Sequence, residues 1–417
     1  MALLAMLYAC GGAEVERDTI TSMRTGPWRM ELDLRTARDS APLTLPFLFT
    51  IAADSGVLAM AIHNGEEIIH VDDIRVAGDS IRIRLPLFDT EFIGTLSGDS
   101  LMSGQWHNHT KGPDHAIPFV ARAGAQHRFG GTPASPAALE GTWACHFAPG
   151  SKDAYSAVGL FWSDGVRVMG SFGTESGDYR FLEGARIGDT LLLSGFDGSH
   201  AFLFSAQLRN DSLLGVFSSG KHGRERWVGV RDPNFHLRDP DSLTTLKAGH
   251  DRVHIRLPDL NGDTISLEDR RFVGRVRMVQ IMGSWCPNCM DESRLLADVY
   301  RRHHGSGLDI VAVAFERGPD PGQAVERLQR YKERLAIPYD ILYGGTTSKE
   351  VVANRLPFLE HLMSYPTCIF IDRQGRVRRI HTGFYGPGTG RYYEAYAQEL
   401  EAFLRQLLAE PAPKADS

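Results

Sequence analysis

The sequence predicts a multidomain chain: a β-rich N-terminal region of two meander-like repeats, arranged as a sandwich or barrel, followed by an α/β domain. Three observations carry this. From about Met23 to Arg231, short alternating apolar–polar runs sit between Gly- and Asp-rich turns, with almost no helical periodicity. The same region resembles itself at an offset of about 110 residues. Beyond Ala248, apolar strand candidates alternate with helix-length segments, which implies a parallel sheet covered by helices. At 417 residues the chain is too long for a single compact core.

Residues 1–22 stand apart. A short apolar run ends in Leu7-Tyr8-Ala9-Cys10, and a polar, Gly-bearing stretch follows to Ser22. The pattern resembles a bacterial lipoprotein signal and tether, which implies lipid attachment at Cys10 and anchorage on the outer, periplasmic side of the membrane. The alternative is a frayed apolar terminus, because no Lys or Arg precedes the run as a signal normally requires. No stretch elsewhere approaches the roughly 20 apolar residues of a membrane-spanning helix.

Two β-rich repeats follow, at 23–128 and 137–232, with Gly130–Pro136 as the linker. Gly26-Pro27-Trp28 and Gly141-Thr142-Trp143 open them alike. Gly78-Asp79, Leu87-Phe88-Asp89 and the run Asp99 to Trp106 parallel Gly188-Asp189, Gly195-Phe196-Asp197 and Asp211 to Phe217. Ile81–Leu85, Glu91–Leu96 and Ala201–Ser205 read as strands. Trp106-His107-Asn108-His109 with His115 holds the residue types of a metal site, but its Gly and Asn neighbours predict a surface loop, so no metal is assigned. Cys145 reads as a packed thiol.

A second break spans Asp232 to Ala248 and leads into the domain at 248–410. Its strand candidates are 278–282, 308–315 and 339–343, and its helix candidates 287–304, 322–336 and 348–363. A hairpin turns at Arg373-Gln374-Gly375. A closing amphipathic helix over about 391–408 aligns Tyr396, Leu400, Phe403, Leu404 and Leu407 on one face.

The chemistry lies in Cys286-Pro287-Asn288-Cys289, which leaves the first of these strands and opens the first helix. A Cys-x-x-Cys so placed reads as a thiol–disulfide redox site. Unpaired N–H groups and the helix dipole favour a thiolate, lowering a free thiol from about 8.5 toward 7 or below. Cys286 at the cap is the expected attacking sulfur, and Cys289, one turn on, the resolving one.

Several signatures together resemble the thioredoxin fold, and within it the TlpA/ResA-like branch of extracytoplasmic thiol–disulfide oxidoreductases. They are Leu257-Pro258-Asp259-Leu260-Asn261-Gly262 with Ile265-Ser266-Leu267, Gly283-Ser284-Trp285 before the dithiol, Glu292, Tyr365-Pro366-Thr367, and Ile371-Asp372-Arg373-Gln374-Gly375. The resemblance implies Cys286 as nucleophile, Cys289 as resolving thiol and Pro366 as a cis-proline facing the pair. It implies substrate contacts at Trp285, Pro287, Tyr365 and Thr367. Glu292 matches an acidic position near the pair. It is either a proton acceptor for Cys289 or a solvated first-turn acid favoured by the dipole. Gln280 departs from the pattern, standing where thioredoxins carry a buried acid. Cys368 reads as a buried strand thiol.

The resemblance further implies protein substrates bearing disulfides or thiols, a membrane-bound thiol electron donor, and no cofactor beyond the Cys286–Cys289 disulfide. It places the protein in cell redox homeostasis, with cytochrome c maturation among the family's roles, and suggests reductase rather than oxidase or isomerase direction. Two alternatives have other chemistry. A copper metallochaperone of the same fold would use the two thiols with His381. A binding protein would act through the β region and carry the redox domain as an accessory. Gly283, three residues before Cys286, lacks the hydroxyl a peroxidatic site needs, and a net charge of −6 leaves no basic stripe for nucleic acid.

Overall fold

A computed structural model describes residues 23–112 and 115–412 of the chain, so Cys10 and the lipoprotein-type segment lie outside the described residues. Nine antiparallel strands form the first sheet, from Gly26–Asp33 to Ala116–Ala123. The first strand pairs with the last, Trp28 opposite Ala123 and Leu32 opposite Phe119. The two edge strands, Glu67–Val71 and Asp73–Ala77, are separated by Asp72 alone, which curls the sheet into a barrel-like shape. Inward-facing positions alternate along each strand and bring Trp28, Phe47, Phe49, Phe92 and Trp106 into one core.

The second sheet has ten strands, and the Arg167–Thr174 strand also pairs with Leu182–Ile187, closing a barrel. Trp143, Phe147, Phe172, Phe204 and Trp227 fill it, with Cys145 buried among them. Burial pushes the Cys145 thiol up to about 12. The sequence repeat is visible at atomic level. Trp28 and Trp143 each donate their indole N–H to the carbonyl four residues earlier, at 2.8 Å. The carbonyls of Asp79 and Asp189 accept the amides of Leu96 and Leu208, each at 2.7 Å.

In the C-terminal domain, a short hairpin, Arg256–Pro258 with Thr264–Ser266, precedes a five-stranded sheet. Its strands are β1 (Val276–Met282), β2 (Leu308–Glu316), β3 (Asp340–Thr346), β4 (Thr367–Ile371) and β5 (Val377–Thr382), in the order β3-β2-β1-β4-β5. β1, β2 and β3 are parallel, and β4 runs antiparallel to β1. The helices are α1 (Pro287–His303), α2 (Pro321–Arg334), α3 (Lys349–Arg355) and α4 (Arg391–Ala409). All nine residues of β2 are buried, as befits a central strand covered on both faces.

Two expectations change. The helix expected over 348–363 ends at Arg355, because Leu356 precedes Pro357 and a residue before proline is driven out of the helical region. The His-x-His stretch is not a loop: Leu101–Asn108 is a strand, and His109–Lys111 a single 3₁₀ turn. Glu91 anchors that turn, its carboxylate 3.0 Å from His109 Nε2.

Buried polar contacts join the three parts. Asn64 exchanges hydrogen bonds with the Phe196 backbone across the two β sheets, at 2.8 and 3.2 Å, beside the stacked rings of Phe47 and Phe196. Arg180, whose side chain is 3% exposed, reaches further. Its guanidinium meets Glu67 of the first sheet at 2.6 Å and grips both oxygens of Asp291 on α1 at 2.8 and 3.1 Å. Asp197 lies 3.7 Å away. Removing one partner from such a buried cluster strands charge in a dry site. Arg180→Ala is therefore expected to destabilise the full chain by about 3–5 kcal/mol in urea unfolding. Arg180→Lys should recover part of the loss, lacking the planar fork. A loss below about 1 kcal/mol, the range of exposed pairs, would contradict the clamp.

Candidate active site: a walled dithiol

The chain leaves β1 at Met282 and must turn sharply into α1. A side chain at Gly283 would place its Cβ 2.3 Å from the Trp285 indole nitrogen, so glycine is required there. Ser284 fixes the next step, its amide and hydroxyl donating to the two oxygens of buried Glu316 at 2.7 and 2.8 Å. Trp285 donates to the Phe315 carbonyl at 3.0 Å, beneath the Arg317 guanidinium and edge-on to Tyr365.

Cys286 is the N-cap of α1. The Cys289 amide donates to its sulfur at 3.2 Å, and Pro287 occupies the first turn, where a missing N–H costs nothing. Its sulfur lies 3.7 Å from the Tyr365 carbonyl, and the Tyr365–Pro366 bond is cis. Cys286 is 6% exposed and Cys289 fully buried. Burial first, and then the neighbouring Cys286 sulfur, push the Cys289 thiol well above its ordinary range. Trp285, Pro287 and Tyr365 line the space in front of Cys286. Thr367 does not: it is buried, with its hydroxyl turned to the Ser364 carbonyl at 2.9 Å.

Behind the dithiol lies a polar cluster. Glu292 has no exposed surface, which removes the solvated-acid alternative. Gln280 donates to its carboxylate at 2.9 Å and lies 3.5 Å from the Cys289 carbonyl. The oxygen of Gln280 accepts from Ser293 at 3.1 Å, and Ser293 accepts from Tyr331 at 2.9 Å. Cys368 on β4 lies close to Glu292, and burial, with the carboxylate's charge, pushes the Cys368 thiol up. Burial pushes the Glu292 carboxyl up to about 7. The second oxygen of Glu292 has no partner. His381 lies directly opposite Cys368 on β5, with its ring hydrogen-bonded to Asp241 at 2.7 Å. Among the described residues, no three His, Cys, Asp or Glu side chains gather into a metal-binding arrangement.

The second barrel supplies what sequence reasoning missed. A cavity of about 660 Å³ opens in front of Cys286, and Tyr155, Gly177, Asp178, Tyr179, His200 and Phe202 form its far wall. Asn288, inside the Cys-x-x-Cys, donates to the Asp178 carbonyl at 3.1 Å. Gly177 has a φ of +136°, and a Cβ there would fall 2.2 Å from the Asn288 amide. Ser199 donates to the Trp285 carbonyl at 3.3 Å, and Gly386 to the Asp178 carboxylate at 2.9 Å. Lost hydration, and then the charge of Asp291, push Asp178 up to about 7. No periodicity in the β region marks which of its turns faces another domain.

Residues 248–380 match the AhpC/TSA family. The thiol-disulfide oxidoreductase ResA of Halalkalibacterium halodurans is 27% identical over 139 residues, which is 33% of this chain and 69% of that protein. The thiol:disulfide interchange protein DsbE of Allochromatium vinosum is 24% identical over 146 residues, 35% of this chain and 72% of that protein. A crystal structure of a thioredoxin-family thiol:disulfide interchange protein from Chlorobium tepidum covers 38% of this chain and 96% of its own, at 16% identity and a TM-score of 0.30. The C-terminal part of the chain is thus a thioredoxin-like domain of the AhpC/TSA family with ResA- and DsbE-type relatives, and the β-rich region before it is unassigned.

Proposed function

We propose that this protein is an extracytoplasmic thiol–disulfide oxidoreductase that reduces disulfides of protein substrates through Cys286 and Cys289. One observation carries the proposal: a capped, partly accessible sulfur stands one turn from a fully buried one, and a buried carboxyl that titrates near neutrality lies behind them. The Cys286 thiolate attacks one sulfur of the substrate disulfide, forming a mixed disulfide and releasing the first substrate sulfur, which takes up a proton. Cys289 then gives its proton to Glu292 and attacks the Cys286 sulfur. The Cys286–Cys289 disulfide forms, the second substrate thiol leaves, and two electrons have passed to the substrate. A membrane-bound thiol donor would restore the dithiol, so the pair itself is the redox group.

The raised Cys289 thiol explains why a base is needed, since a thiol protonated at neutral pH attacks slowly. Glu292, at about 7, is ionised often enough to accept the proton and protonated often enough to return it. Extracytoplasmic placement is supported by the ResA- and DsbE-type relatives and by the lipoprotein-like segment ending at Cys10. No helix among the described residues is long and apolar enough to cross a membrane.

Cys289→Ser should trap substrates as mixed disulfides on Cys286, visible as reducible adducts on gels. Cells yielding no adduct under oxidising conditions would count against catalysis. Glu292→Gln should slow resolution of a preformed mixed disulfide by about a hundredfold and abolish its rise through pH 7. An unchanged pH profile would leave Glu292 no part in proton transfer. Stability gives an independent check on the same carboxyl. Between its ordinary 4.5 and about 7, the unfolded state has lost a proton that the folded state keeps, so stability falls as pH rises through that window. The wild type should lose roughly 3 kcal/mol more than Glu292→Gln across it.

A further inference from the structure

The cavity in front of Cys286 constrains what can reach the sulfur. Cys286 is 6% exposed, and the second barrel stands opposite it. That wall is aromatic and internally braced. The hydroxyls of Tyr155 and Tyr179 meet at 2.6 Å, Phe202 lies edge-on to Tyr179, and His200 stacks on Phe202 at 4.7 Å. Trp285, Tyr365 and Met363 line the opposite side.

Charge in the lining is already committed. Arg180 is held by Glu67, Asp291 and Asp197, Glu175 is gripped by Arg238 at 2.7 and 2.5 Å, and His200 faces Asp197 at 3.1 Å. Among the described residues of the lining, no cationic group is left to neutralise an anion. Arg317, stacked 3.8 Å over the Trp285 ring, nevertheless carries positive charge beside Cys286, so the aromatic wall rather than charge sets which disulfide enters. A broad folded surface cannot lie flush on Cys286, because the Gly177–Tyr179 turn contacts α1 at Asn288.

We propose that the second barrel is a specificity wall, and that the substrate is a disulfide-bonded cysteine in an extended polypeptide segment flanked by aromatic or aliphatic side chains. The flanking side chains pack on Tyr179 and Phe202 while the cysteine sulfur meets Cys286. The proposal rests on the oxidoreductase activity proposed above, and the oxidation step is the same: the segment's disulfide is reduced as the Cys286–Cys289 disulfide forms.

The test uses the reduced full-length protein with four probes: a peptide disulfide flanked by Phe and Leu, the same peptide flanked by Gly and Ser, oxidised glutathione, and neutral 2-hydroxyethyl disulfide. The apolar peptide is expected to react about tenfold faster than its Gly/Ser counterpart and than either small disulfide. Phe202→Ala should collapse the ratio of the two peptide rates, and Phe202→Leu should restore much of it. The ratio does not depend on the folded fraction, so partial misfolding cannot mimic the effect. Equal peptide rates would overturn the wall while leaving the oxidoreductase intact. No reaction with any probe would overturn both.

Discussion

A single buried guanidinium sets the architecture around the dithiol. Arg180 cannot lie in the interior without compensating charge, because stripping water from an ion costs several kcal/mol that only close partners offset. Its partners come from three places: Glu67 on the first sheet, Asp197 on the second barrel and Asp291 on α1. Asp291 lies two residues beyond Cys289, so satisfying Arg180 brings the barrel against the first turn of the redox helix. Arg180 also adopts a left-handed backbone conformation, with φ of +55°, uncommon for a residue with a side chain. The chain holds this geometry where the Gly177–Arg180 turn must contact α1 and Gly386 together.

The interior behind the sulfurs follows a different constraint. Gln280 cannot act as an acid, yet its amide holds the one that is present, Glu292, from the neighbouring helix turn. Relocating the carboxyl from strand to helix puts it beside Cys289 and Cys368 rather than under the strand alone. Gln280 is itself satisfied by Ser293, which ties the network to Tyr331 on α2. A buried network of this kind is costly if half paired and rigid if complete, and the unpartnered oxygen of Glu292 is where it remains open.

Much of the C-terminal domain was legible because strong local signals agree there. The apolar strand at Met278–Met282, the Cys-x-x-Cys at a helix start and the Gly375 turn each specify local structure without tertiary help. Register, burial and contact were less legible. The sequence left Glu292 between solvent and interior, since a first-turn acid fits either, and burial decides it. Thr367 was expected to meet substrate, but its hydroxyl satisfies the Ser364 carbonyl inside the fold. The helix expected to run to 363 stops at Arg355, where Pro357 outweighs an apolar pattern that otherwise suits a helix. The cavity wall was invisible because Phe202 follows the alternation of its own strand, while Tyr179 and His200 fall in connections that carry no periodic signal. Only the three-dimensional placement of the Gly177–Arg180 turn brings them to Cys286.

The central claim is that this turn and the first turn of α1 are one cooperative unit. Amide hydrogen exchange on the intact reduced protein measures it directly. The account predicts that Tyr179, Arg180 and Gly386 exchange slowly together with the amides of Cys289 to Glu292, and that all speed up in parallel when Arg180 is replaced by Ala. Rapid exchange at 179–180 beside a fully protected α1 would show that the barrel does not wall the dithiol, and would contradict it.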